Sequence, residues 1–133
     1  MHSPSARAAA QYQKTEVQCG TPLELVVKLY DGAIANVVKA RDAMARGDLV
    51  AKRDGISRAL AIVAELQSSL DVAKGGQIAT SLDALYAYVT SRLVESNVRK
   101  DPRALDEVHK LLVPLRDAWH QIASAPPGAT GTT

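Results

Sequence analysis

The stretch Thr21–Ile34, TPLELVVKLYDGAI, fits little other than the start of a long, broad-faced helix. The Thr21 hydroxyl can accept from the N–H three residues on, and Glu24 can reach back to the Thr21 N–H, a reciprocal cap. Pro22 falls where a missing N–H costs nothing. Beyond it Leu23, Val26, Val27, Tyr30 and Ile34 share one face, and Leu25 and Leu29 widen that face to one side. A stripe this wide can do more than meet one neighbouring helix.

The same kind of pattern recurs three times. The first helix is expected from Pro22 to about Arg46, its stripe continuing through Val37, Val38 and Met44, with Gly47 as a left-handed stop. Gly32 inside it costs roughly 1 kcal/mol against alanine, which close approach of another helix or simple tolerance would explain. Asp48 caps a second helix to about Leu70, with Ile56, Leu60 and Val63 on its face and Gly55 weakening its first turns. Gly75-Gly76 marks a turn. A third helix, from about Gln77 to Lys100, should bury Ile78, Leu82, Leu85, Val89 and Leu93, with Tyr86 and Val94 beside them. Asp101-Pro102 repeats the cap-then-proline start. The fourth helix runs to about Ala123 along a seam of Leu105, Val108, Leu112, Leu115, Trp119 and Ile122, with a kink expected at Pro114.

Long amphipathic helices with short links must be antiparallel neighbours. The fold class is therefore all-α, an antiparallel four-helix bundle over residues 21–124. A short helical cap segment at 11–20 precedes it, and residues 1–10 and 125–133 read as disordered. Composition agrees: the chain has no Phe, and its aromatics are four Tyr and one Trp. Asp42–Arg46, Asp48–Lys52, Asp54–Arg58, Glu95–Arg99 and Asp106–Lys110 each set the acid four residues before the base, the favourable order on a solvated helix face.

These residues hold no evident chemistry. His109 and His120 lie about three turns apart on one helix, too far to share a metal. No HExxH or ExxH pair occurs, and Gly75-Gly76 lacks the rest of a phosphate loop. Cys19 has no neighbour placed to activate it and reads as a structural thiol. The expectation is no catalytic residue, no metal and no cofactor: not an enzyme. A formal net charge of +2 with interleaved signs argues against a nucleic-acid partner. Neither a secretion signal nor a membrane-length apolar run occurs, so a cytoplasmic protein without membrane insertion is expected. What is left over is apolar surface on the first and third helices. It forms either a groove for an amphipathic partner helix or a core filled by many short side chains.

The chain also resembles the flagellin export chaperones, the FliS family, from Tyr12 to Trp119. The resemblance rests on Tyr12-Gln13, PLELVVKLYDGAI at 22–34, ELQSSLD at 65–71, KGGQIATSLDALYAYV at 74–89 and RDAW at 116–119. It implies a flagellar secretion chaperone that binds the disordered C-terminal segment of newly made flagellin, one to one. Binding blocks premature polymerisation and keeps flagellin competent for delivery to the export gate. With the face geometry, it places the flagellin-binding groove at Leu25, Leu29, Tyr30 and Ile34 of the first helix and Leu82, Tyr86 and Val89 of the third. It makes Tyr12 and Val17 a lid. Pro114, Val27 and Val89 depart from the family's usual residues. The alternative is a structural helical bundle that forms a homodimer through the same stripe.

Overall fold

A computed structural model describes residues 21–125; the expected lid at Tyr12 and Val17, the rest of the N-terminal segment and the tail from 126 lie outside the described residues. Four helices follow in order: α1 Pro22–Arg46, α2 Leu49–Ser68, α3 Val72–Arg99 and α4 Pro102–Ser124. Each begins at the residue chosen for it by capping chemistry. The Thr21 hydroxyl accepts from the Glu24 N–H at 3.2 Å, Asp48 from Ala51 at 3.0 Å, Asp71 from Lys74 at 3.1 Å and Asp101 from Arg103 at 3.0 Å. Each acceptor satisfies an N–H that has no partner within the helix. At the far end of α1, Gly47 takes φ 75° and closes the helix with bonds back to Ala43 and Met44.

The links are two or three residues long, so consecutive helices run antiparallel. Each helix packs on its neighbours in sequence, and α4 closes the ring against α1; the backbones of the diagonal pairs stay apart. The core runs down the middle through Val37, Ile56, Val63, Leu66, Leu93, Leu105 and Leu112, all almost completely buried. Tyr30 of α1 and Tyr86 of α3 reach across the diagonal and hydrogen-bond through their hydroxyls.

α1 and α2 come close together at Gly55, where a Cβ would stand 2.9 Å from the Asn36 carbonyl oxygen. Gly32, for which the sequence leaves close approach and simple tolerance both open, meets only the tip of Ile62, at 3.2 Å. Three of the expected ion pairs are replaced. Arg46 pairs with Asp48 rather than Asp42, at 3.9 Å. Arg41 rather than Lys110 pairs with Asp106, at 2.8 Å, and Lys52 turns inward, 5% exposed, to donate to the Asn97 carbonyl at 3.0 Å. That carbonyl is in the last turn of α3, where orphan acceptors and the negative end of the helix dipole favour an ammonium group. The helix α4 continues through Pro114, whose ring is on the exposed side.

One expectation about α3 is refined and one needs correction. A helical turn from Val72 precedes the expected start, and the chain breaks at Gly76, φ 54°, ψ −130°, so the main run of the helix begins after the Gly pair, at Gln77 as expected. Ile78, expected in the core, is 73% exposed. The reason is positional: it lies in the turns of α3 nearest the end of the bundle, before the helix reaches its first buried residue, Ala79.

Candidate functional site

In an antiparallel bundle the starts of α1 and α3 meet the ends of α2 and α4. At this end the apolar seams outrun their cover. Along α4, Leu105, Val108 and Leu112 are buried, Leu115 and Trp119 half-buried, and Ile122 is 42% exposed. Between the four helix ends lies an apolar groove of about 360 Å³. Leu23 and Val26 come from α1, Leu66 from α2, Leu70 from the link, Ile78, Leu82 and Tyr86 from α3, and Trp119 from α4. Asp71 and Lys74 are the charged groups on its rim. A second depression of about 450 Å³ shares Ile78 and Leu82 and continues along α3 to Leu85. The two together make one apolar path from the bundle end onto the side of α3.

The floor is rigid. Tyr86 lines the groove with its ring while its hydroxyl is held by Tyr30 beneath it; the ring centroids are 6.5 Å apart, tilted by 50°. Burial pushes both phenols above their ordinary value of 10.0, Tyr86 further, with Tyr86 and Trp119 partly offsetting the effect at Tyr30. Both hydroxyls therefore stay protonated and paired. No buried side-chain polar atom among the described residues lacks a partner. Such a site can bind apolar groups, with its charged residues Asp71 and Lys74 kept to the rim.

Of the residues expected from sequence, Leu82 and Tyr86 line the groove. Tyr30 and Val89 are 0% exposed and support it from beneath instead of meeting solvent. Leu25, Leu29 and Ile34 are half-buried on α1 and lie outside the groove lining. Sequence reasoning missed Leu23, Val26, Leu66, Leu70 and Trp119 as a set. The signal was present: each belongs to an apolar stripe, and short links bring those four stripe ends together.

The titratable clusters lie elsewhere. On the α3–α4 seam Arg92 donates to Glu107 at 2.6 Å, and the Tyr88 hydroxyl donates to the same carboxylate at 2.8 Å. These bonds hold the Glu107 carboxyl below its ordinary value of 4.5, Tyr88 contributing most. No group of three or more His, Cys, Asp or Glu among the described residues is placed to hold a metal ion. No helix among them is long and apolar enough to cross a membrane.

A family model described as flagellar protein FliS matches residues 5–126 of the chain. The chain belongs to the FliS family. Among its relatives, the flagellar secretion chaperone FliS of Salmonella typhimurium is 40% identical over 111 residues, 83% of this chain and 82% of that protein. Flagellar secretion chaperone FliSB of Pseudomonas aeruginosa is 35% identical over 121 residues, 88% and 96% of the two chains. The FliS of Bacillus subtilis, with the same description, is 33% identical over 110 residues, 83% and 81%. FliS membership agrees with the helical bundle and with the sequence blocks at both sides of the groove.

Proposed function

We propose that this protein is a flagellar secretion chaperone that keeps newly made flagellin unpolymerised and competent for export. The observation that carries the reading is the apolar groove at the meeting of four helix ends, in a chain whose relatives bear that name. In this reading the guest is flagellin's C-terminal segment, bound one to one in the cytoplasm and delivered to the export gate. The groove is large enough for a few guest side chains, not a helix. The remaining contact area would lie along α3, past Ile78 to Leu85, and over the half-buried Leu25, Leu29 and Ile34 on α1. Tyr30 and Val89 would act by holding the floor, and Tyr12 and Val17 would form the lid.

The guest orders as it binds, so its affinity is the apolar contact less an ordering cost of a few kcal/mol. Neither catalysis nor a cofactor enters this scheme, because release is left to the export machinery. Calorimetric titration with a synthetic flagellin C-terminal segment is expected to give one-to-one binding and a negative heat-capacity change. No heat and no mobility shift at micromolar concentration would overturn the reading. A stable dimer by light scattering that ignores flagellin would favour the structural bundle.

A further inference from the structure

We propose that α3 starts in one of two states, kinked or straight at Gly76, and that the kinked state builds the groove wall and is the one that binds the guest. The proposal rests on the reading of the groove as the flagellin site.

The two glycines have different reasons to be there. A Cβ on Gly76 would meet nothing within 4 Å, so space does not demand glycine; its torsions, φ 54° and ψ −130°, do. They mirror an ordinary extended L-residue and are open almost only to glycine. At Gly75 the constraint is space, because a Cβ would stand 2.7 Å from the Ala79 Cβ. Its absence lets the first turn of α3 fold down on the next.

That first turn is a self-contained unit. The Gly75 N–H donates to the Asp71 carbonyl at 2.7 Å, and the Lys74 N–H to the Asp71 carboxylate at 3.1 Å. Every residue from Asp71 to Ile78 is exposed. On one side the unit is held by Leu70, which packs on the core; on the other it is joined by one glycine. Gly76 is the one residue within α3 out of helical torsion, so its two torsions separate the observed form from a helix running straight from Val72. Straightening restores regular helix geometry across the break but spends two glycines in a helix interior, which is unfavourable. It also swings away Asp71, Lys74 and Gly75, which line the groove in the kinked form. A guest that contacts this wall shifts the population toward the kink.

Two variants of the full chain bias the equilibrium in opposite directions. Gly76→Ala disfavours the kink, since L-alanine is strained there and is a good helix former. Replacement of Gly76 by D-alanine, through semi-synthesis, favours the kink for the mirror-image reason. Backbone chemical shifts over residues 72–78 are expected to show continuous helix in the first variant and a break at 76 in the second. Affinity for the flagellin C-terminal segment should fall about tenfold in the alanine variant and be at least that of the parent in the D-alanine variant. An alanine variant that keeps the break, or two variants that bind alike, would overturn the switch. Failure of the parent chain to bind flagellin would remove the guest, while the chemical shifts would still decide whether α3 has two states.

Discussion

The Tyr30 and Tyr86 hydroxyls are buried and each is the other's partner, so the pair is worth more than either residue alone. Tyr30→Phe leaves the Tyr86 hydroxyl without its partner and should cost about 1–3 kcal/mol, the desolvation penalty of an unpaired buried group. Tyr86→Phe should behave alike. The double variant, which strands neither hydroxyl, should lose less than the sum of the two in denaturant melts. Additive losses would show that the hydroxyls are not coupled. The same burial sets an alkaline limit. Both phenols are raised above 10.0 in the folded protein, whereas the unfolded chain releases these protons near that pH. Below about pH 10 the pair adds no pH dependence, and above it stability falls as the unfolded state ionises first. Melting temperature against pH checks this: the parent should lose stability more steeply above that point than the variant lacking both hydroxyls.

Helix starts, stops and order were legible in the sequence because capping is local: Thr21, Gly47, Asp48 and Asp101 act through atoms within a few residues of themselves. Contacts between helices were less so. Periodicity assigns a residue to a face but not to the height at which the facing backbone comes close, and Gly55, read as a weak spot, turned out to be a close approach. The two α1–α2 glycines therefore respond oppositely to alanine. In Gly55→Ala the new Cβ meets Asn36 and Ala40 backbone atoms at 2.9 and 3.2 Å, which cannot give way without moving α1. This outweighs the roughly 1 kcal/mol of helix propensity gained, so the melting temperature should drop. In Gly32→Ala the Cβ meets only the end of the Ile62 side chain, which can turn aside. Propensity then wins, and stability should be unchanged or higher. The candidate site was half legible for the same reason. Leu82 and Tyr86 were found from their face, but the groove also needs Leu23, Leu70 and Trp119, and only the fold places those together.

At the scale of the molecule, the two ends of the bundle are built for different tasks. Away from the groove the helices are tied by Arg41–Asp106, Arg92–Glu107 and the inward Lys52. At the groove, residues with an apolar face lack cover, and stability there is traded for surface. Binding and folding should consequently be separable along a single helix, α3. Leu93, about two turns past Tyr86, is 0% exposed, and Leu93→Ala should cost about 2–5 kcal/mol through lost contacts and a cavity. Guest affinity should change little as long as the protein is folded. Ile78 is 73% exposed, so Ile78→Ser should leave stability within about 0.5 kcal/mol. Because Ile78 lies where the groove and the depression along α3 meet, its loss should weaken flagellin-segment binding by roughly 5–30-fold, the range for truncating an apolar anchor. Thermal melts and titrations on the same two proteins decide it. An Ile78→Ser protein that binds like the parent would move the guest off this end of the bundle, and one that unfolds early would mean that Ile78 belongs to the core after all.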